Sequence, residues 1–151
     1  MIRNLNHDES RKILASNYIG NLSYIYRARP YVVPITYFFD ADHNVIIGYS
    51  AEGHKVRAMR KNGSVSLGVS EVDSVNSWNS VLAQGTFIEL SGSDAKAQLH
   101  IFSLGVKDLI INIEHRKLDF ISEFSSKIYK DDLPIVFQIK VDEITGKMRR
   151  N

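Results

Sequence analysis

Two apolar segments on either side of a short polar turn constrain the fold of this chain more than any other feature. The first runs from Tyr31 to Phe39, the second from Val45 to Tyr49, and Asp40-Ala41-Asp42-His43-Asn44 separates them. β-Branched and aromatic residues dominate both segments, which is typical of buried strands joined in a hairpin. Pro34 stands within the first segment and has no backbone N–H to donate, so it predicts a strand at a sheet edge or a β-bulge.

A short basic segment follows this predicted hairpin. Val56 and Met59 have the spacing of one helical face, and Asn62-Gly63 is typical of a helix end. His54 and Lys55 would then fall in the first turn, where the helix dipole disfavours positive charge. Their position is explained if an anion, most simply a phosphate, binds them together with the free backbone N–H groups. The alternative is a solvated basic helix face; the neighbouring edge strand favours a nucleotide cofactor site.

The rest of the chain predicts one domain, residues 1–151, with six strands and about three helices. Asn6 and Glu9 have the spacing of a capping box, so a helix is predicted near residues 7–17. Consecutive strands joined by short turns favour an antiparallel sheet, and closure into a small barrel would remove its exposed edges. The strands are predicted at 22–26, 31–39, 45–49, 64–70, 81–90 and 135–141.

Three further segments carry specific expectations. A helix after Asp94 is predicted to stop at Gly105, and residues 106–130 are harder to assign, although apolar spacing suggests a helix from about 118 to 128. Gly85 is predicted to mark a bulge or a close approach of backbones. Trp78, the single tryptophan, is expected in a polar loop, where it either anchors the loop or contacts a ligand. The last residues, 146–151, are expected to form a short basic tail.

Composition excludes several classes of function. The chain has no cysteine, which removes disulfides, thiolate catalysis and Cys-ligated metal and suits a reducing cytoplasm. A formal net charge of +2 is too small to indicate a nucleic-acid partner. The apolar runs are far shorter than the roughly 20 residues of a membrane span. The five histidines lack metal-ligand spacing, and the Rossmann, P-loop and zincin motifs are absent. We therefore expect a cytoplasmic protein without membrane, metal or nucleic-acid contacts.

Four segments of the chain stand out together: Arg29 to Tyr37, Tyr49 to Lys55, Val69 to Asp73, and Trp78 to Val81 followed by Gly85. In this order and spacing they resemble the pyridoxamine 5′-phosphate oxidase-like superfamily. The chain is most similar to the branch of small flavin-binding proteins that includes nitroimidazole-resistance reductases. The resemblance is good over residues 5–92, continues into the last strand and is weak over 106–130. It implies a six-stranded antiparallel split β-barrel that forms a homodimer and binds FMN at the subunit interface.

The resemblance also implies which residues hold the cofactor. One set would lie along the isoalloxazine edge, largely through backbone groups: Pro34, Ile35, Thr36 and Tyr37. A second set would surround the phosphate, with two direct contacts and two residues shaping the turn: Ser50, Lys55, Gly53 and His54. A third pair would contribute to the pocket from the other subunit: Trp78 and Ser80.

The chain departs from the family pattern in places that concern substrate. Many relatives have histidine where this chain has Tyr49, so Tyr49 would either face the flavin or pack in the barrel. Near Thr36 many relatives have asparagine or histidine. Pyridoxamine phosphate oxidases proper carry an Arg-x-His motif in the last strand, whereas this chain has Gln138-Ile139-Lys140. That difference argues against vitamin B6 oxidation.

The resemblance predicts an FMN-dependent oxidoreductase of the nitroreductase or flavin-reductase kind. Such an enzyme passes electrons from a nicotinamide donor through the flavin to a small organic acceptor, and the cofactor carries the chemistry. One alternative is a flavin-binding carrier or sensor without turnover. Another is a haem-binding protein, with His54 as the plausible ligand near the pocket.

Overall fold

A computed structural model describes residues 1–114 and 134–151 of the chain. The predicted helix near 118–128 lies outside these residues, as does His115. In chain order the described elements are β1 (Ile2–Asn4), α1 (His7–Ala15), β2 (Ile19–Tyr26), β3 (Arg29–Thr36), β4 (Phe38–Asp40), β5 (Val45–Ser50), α2 (His54–Lys61), β6 (Ser64–Ser74), β7 (Ser77–Glu89), α3 (Gly92–Glu114) and β8 (Ile135–Arg149).

All the described strands belong to one sheet, whose pairings are antiparallel. Its order is β3-β2-β6-β7-β8-β5-β4, and β1 pairs separately with β8. This confirms the predicted mainly β fold with peripheral helices. Helix α1 begins as its sequence predicts, because Asn6 and Glu9 form a reciprocal capping box. The described strands number eight rather than the predicted six, since β1 is additional and the first apolar segment is divided.

The predicted hairpin of two buried strands is only partly right. Its first segment divides at Tyr37: β3 pairs with β2 over its whole length, and only β4 pairs with β5. Tyr37 is fully buried, and its hydroxyl donates to the Leu14 carbonyl at 2.7 Å. Strand β3 is an edge strand, as Pro34 predicts, and most of its residues are exposed rather than buried. The chain therefore crosses from one edge of the sheet to the other at a single residue.

Two apolar clusters lie on opposite faces of β5. Alternate side chains of a strand point to opposite faces, so Ile46 belongs to the cluster inside the barrel while Ile47 faces α3. The inner cluster includes Leu14, Leu22, Tyr37, Met59, Leu67, Phe137 and Ile139. The outer cluster joins the sheet to α3 and includes Leu99, Phe102, Val106, Ile110 and Val136. Val33 and Ile35, on one wall of the cleft described below, pack against the inner cluster, and Tyr49, on the other wall, packs against the outer cluster.

Helix α3 continues through Gly105, so the predicted stop there is wrong. A Cβ at Gly105 would lie 2.2 Å from Cε1 of Phe38. The glycine is therefore explained by close packing of the helix against β4 rather than by helix termination. The ambiguous apolar stretch after Gly105 is helical as far as Glu114.

Strands β7 and β8 are longer than the sequence predicts. Trp78 lies in β7 opposite Arg149 rather than in a loop, and the expected basic tail is the end of β8, which runs to Arg149. Gly85 marks a close approach, as predicted: a Cβ there would lie 2.2 Å from the Lys140 carbonyl oxygen. The register of the β7–β8 pair shifts between Gln84 and Gly85, which is the predicted bulge.

Candidate cofactor cleft

An open cleft of about 530 Å³ lies between two strand edges. One wall is residues 33–36 of β3, the outermost strand on its side of the sheet. The other is Tyr49 and Ser50 at the end of β5, beyond Ile47, the last residue that β4 pairs. In the described part of the chain, both walls thus have a paired strand on one side only. A flat ligand could lie between them and meet backbone groups from both.

The beginning of α2 closes one end of the cleft. Gly53 is the N-cap and provides no side-chain cap, and the Arg57 N–H is the first to donate back into the helix, to the Gly53 carbonyl at 3.1 Å. The N–H groups of His54, Lys55 and Val56 precede that bond and have no acceptor within the helix. The first turn contains no acidic residue. This end of the helix therefore has the donors and the dipole that favour an anion.

Two polar side chains stand beside these N–H groups. Lys55 is half-buried and lines the cleft, and it has neither an ion pair nor a hydrogen bond among the described residues. Ser50 is 7% exposed, and its hydroxyl donates to the Ala51 carbonyl at 2.8 Å. That hydroxyl oxygen can still accept a hydrogen bond. The site therefore offers one positive charge and several donors to an anionic group.

Arg60 holds the loop between β5 and α2 in place. Its guanidinium donates to Glu52 at 2.5 Å and to Glu89 of β7 at 2.5 and 3.0 Å. The Arg60 hydrogen bond lowers the pKa of Glu89, so this carboxylate stays charged near neutral pH. Because Glu52 is paired with Arg60, its negative charge offsets the positive potential at the cleft less than a free carboxylate would.

His54 belongs to an aromatic group at the same end of the cleft. Its Nδ1 lies 3.0 Å from the Tyr24 hydroxyl. Its ring centroid is 4.9 Å from those of both Tyr26 and Tyr31 and 5.8 Å from that of Tyr24. The Tyr24 contact occupies Nδ1, so a haem iron would have to use Nε2. Sequence reasoning missed Tyr24, whose only signal is its alternation with Leu22 and Tyr26 along one strand face.

The ring of Tyr49 packs on α3. It meets Phe102 edge to face at a centroid distance of 5.4 Å, and burial raises the pKa of Tyr49 above its usual value. Tyr49 also lines the cleft, so packing and proximity to a ligand coexist at this residue.

The structure brings most of the predicted site residues together. The cleft lining includes Pro34, Ile35, Thr36, Tyr49, Ser50, Gly53, His54 and Lys55. The three predicted residues outside it are Tyr37, Trp78 and Ser80. Tyr37 is in the core, and the other two border a separate depression of about 630 Å³ beside Leu82 and Ile144. Within one chain, the predicted site residues therefore lie in three places: the cleft, the second depression and, for Tyr37, the core.

A family model described as pyridoxamine 5′-phosphate oxidase matches residues 6–148. The chain belongs to the pyridoxamine 5′-phosphate oxidase family. An uncharacterized protein from Rhizobium meliloti (strain 1021) is 27% identical to this chain over 148 residues. The matched residues make up 97% of this chain and 94% of the relative.

Solved structures similar to this chain confirm the split-barrel fold. An FAD-binding protein from Mesorhizobium loti superposes with a TM-score of 0.76 at 23% identity, covering 100% of this chain and 98% of the other. A candidate 5-nitroimidazole antibiotic resistance protein from Bacteroides thetaiotaomicron gives a TM-score of 0.69 at 17% identity, covering 98% and 89% respectively.

The segment compared above with the Arg-x-His motif of pyridoxamine phosphate oxidases proper lies in the middle of β8. Gln138 donates from Nε2 to Oε1 of Gln98 on α3 at 2.9 Å, so it is engaged beneath that helix. Neither Gln138 nor Lys140 lines the cleft. Residues 1–114 and 134–151 include no cluster of three or more acidic or histidine side chains able to hold a metal ion. None of the helices in these ranges has the length and apolar character needed to cross a membrane.

Proposed function

We propose that this protein binds a flavin in the cleft between β3 and β5 and works as an FMN-dependent oxidoreductase. It would take electrons from a nicotinamide donor and pass them to a small organic acceptor in the cytoplasm. The observation that carries the proposal is the start of α2. Three N–H groups without helical acceptors, at His54, Lys55 and Val56, border a cleft with strand edges on both sides. The Lys55 ammonium, which has no ion-pair partner among residues 1–114 and 134–151, borders it as well.

The residues of the cleft suit the two chemically different parts of a flavin. The phosphate lies at the α2 N-terminus, held by the N–H groups, by Lys55 and by the Ser50 hydroxyl. The isoalloxazine ring lies between the edges, where backbone groups of Ile35 and Thr36 recognise its polar rim. The flavin supplies hydride and electron transfer when bound. The protein orients the ring and excludes water from one of its faces.

We also propose that two copies associate through the outer face of β3, β2, β6 and β7, which are neighbours in this order in the sheet. Apolar side chains on this face remain exposed, including Ile19 (57%) and Val32 (62%). Two-fold dimers are the commonest soluble oligomers, and an apolar sheet face needs a cover. In a dimer, Trp78 and Ser80 of one subunit complete the cleft of the other, which accounts for their separation from the cleft within a single chain.

Substitution of Lys55 tests the phosphate site. In Lys55→Ala, FMN affinity should fall by about 1.5–3 kcal/mol, the usual range for a hydrogen bond to a charged group. Fluorescence titration of the apoprotein at fixed salt measures this change. Lys55→Arg should recover part of the affinity, and Lys12→Ala on α1 is a matched control for loss of one positive charge. If Lys55→Ala binds FMN as tightly as the unaltered protein, the proposed phosphate site is wrong.

The purified protein discriminates the proposed function from its alternatives. A flavin absorption spectrum with turnover of a nicotinamide donor and a nitroaromatic or free-flavin acceptor supports the oxidoreductase. A bound flavin without turnover supports a carrier or sensor. A Soret band that is lost in His54→Ala supports haem binding instead.

A further inference from the structure

Four rings form an aromatic patch next to the phosphate end of the cleft: Tyr24, Tyr26, Tyr31 and His54. Tyr24 and Tyr31 are stacked, with centroids 5.4 Å apart and planes within 8°. Tyr24 is 4% exposed, whereas Tyr31 is 37% exposed and His54 is also exposed. Tyr24 thus supports Tyr31 from beneath and leaves aromatic surface of Tyr31 accessible to solvent. A planar ring could stack on this accessible part of Tyr31.

Two cationic side chains lie at the edge of this aromatic patch, against Tyr26. The Arg27 guanidinium lies 5.1 Å from the Tyr26 ring centroid, and the Lys61 ammonium lies 5.7 Å from it. The two segments that build the patch, residues 20–36 and 53–70, contain no Asp or Glu. Their Lys and Arg residues are Arg27, Arg29, Lys55, Arg57, Arg60 and Lys61. Of these six, the ion pairs of the described residues engage only Arg60.

The turn that presents Arg27 has an uncommon backbone. Arg27 and Ala28 have φ of 51° and 63°, the positive values of a type I′ hairpin turn, which usually takes Asn or Gly. Non-glycine residues in this region cost energy and concentrate at functional sites. Here the turn places a guanidinium against Tyr26, at the edge of the aromatic patch.

We propose that the aromatic patch and its cations bind the adenosine diphosphate moiety of a dinucleotide. The adenine stacks on Tyr31, and the diphosphate lies among Arg27, Arg57 and Lys61, next to the flavin phosphate at the start of α2. His54 belongs both to the patch and to the first turn of α2, so the two parts of the ligand are continuous. The inference extends the proposed function. The moiety could come from FAD, whose flavin would fill the cleft, or from a nicotinamide dinucleotide donor.

Calorimetric titration of ADP into the apoprotein is the first measurement. ADP should bind, and Tyr31→Ala should weaken it about tenfold, as expected for loss of one base–aromatic stack. FMN affinity should stay nearly unchanged in Tyr31→Ala. Tyr31→Phe, which keeps the ring, should bind ADP like the unaltered protein. Circular dichroism and thermal melting of each variant establish that the patch still folds.

A charge variant keeps the inference testable if Tyr31→Ala proves unstable. Arg57 is exposed on α2 and outside the ion pairs of the described residues, so Arg57→Ala should leave the fold intact. It should weaken ADP binding, and the loss should shrink at high salt because exposed charges are screened. Lys96→Ala, on the exposed surface of α3, is the matched control.

The source of the moiety is found by comparing whole cofactors. Tighter binding of FAD than of FMN to the apoprotein, abolished by Tyr31→Ala, identifies FAD. If the two flavins bind equally well and Tyr31→Ala weakens NADH binding to the FMN-loaded protein, the moiety comes from the nicotinamide dinucleotide donor. If FMN binds but ADP does not, and neither dinucleotide responds to Tyr31→Ala, the inference is wrong and the proposed function stands. If no flavin binds but ADP binding depends on Tyr31, the inference stands and the proposed function is wrong.

Discussion

Removal of one hydroxyl group, in Tyr37→Phe, tests whether Tyr37 is a structural residue or a cofactor contact. Resemblance to the family places Tyr37 along the flavin. In the structure its side chain is fully buried, its hydroxyl donates to the Leu14 carbonyl at 2.7 Å, and its N–H donates to Tyr18 at 2.8 Å. Burial also raises the pKa of Tyr37 far above its usual value, so the hydroxyl keeps its proton. We therefore expect a loss of stability without a loss of flavin affinity.

The size of the effect follows from the single bond removed. Phenylalanine fills the same space, so no cavity term arises, and the buried Leu14 carbonyl loses its donor at a cost of about 1–3 kcal/mol. The unfolding entropy is about 2.1 cal/mol/K per residue, which for 151 residues gives about 0.3 kcal/mol/K. The melting temperature should thus fall by roughly 3–9 °C.

Differential scanning calorimetry and FMN titration provide the two readouts. Tyr31→Phe is the matched control, because the Tyr31 hydroxyl has no hydrogen bond in the part of the chain that the structure describes and the side chain is partly exposed. It should melt within about 2 °C of the unaltered protein, since surface changes rarely exceed about 0.5 kcal/mol. The reasoning is refuted if Tyr37→Phe keeps its melting temperature and binds FMN several-fold more weakly.

Two further predictions concern the dimer and Tyr49. Val32→Asp places a charge on the outer sheet face and should convert a dimer to a monomer, which light scattering would report as about 17.2 kDa. Flavin binding should weaken in the same variant. A variant that remains dimeric would exclude this face as the interface. Because the Tyr49 ring packs on Phe102, Tyr49→His should leave the pH–rate profile unchanged between pH 5 and 8, whereas a new ionisation near pH 6.5, the unperturbed histidine value, would place this side chain in the chemistry.

Local signals in the sequence predicted most of the fold. The capping box at Asn6, the edge strand at Pro34 and the close approach at Gly85 each depend on one residue type with one physical consequence, and all three are present. Gly105 misled the prediction because glycine has two uses in a helix. It ends helices, but it also lets another element approach closely, and only the position of Phe38 decides between them.

The length of β8 could not be predicted because the bulge changes its alternation. Ile139 and Val141 face the barrel interior at odd positions, whereas beyond the bulge the inward residue is Ile144. A period of two read from the sequence therefore ends at Val141. The division of the first apolar segment was equally hidden, because Tyr31 to Phe39 is uniformly apolar on either side of Tyr37. Residues 49–55 of the site could be predicted because they are adjacent along the chain. Tyr24 could not, because its place beside Tyr31 depends on the register of β2 with β3.

The crossing at Tyr37 has a mechanical consequence for the cleft. Strands β3 and β4 are the two ends of the sheet path, so the described ring of strands is completed there by a covalent link and not by a ladder of hydrogen bonds. The two walls of the cleft, on β3 and β5, can therefore move apart or together without breaking a pairing between strands. We therefore expect that substitutions along the cleft can change its width while the folded framework stays the same.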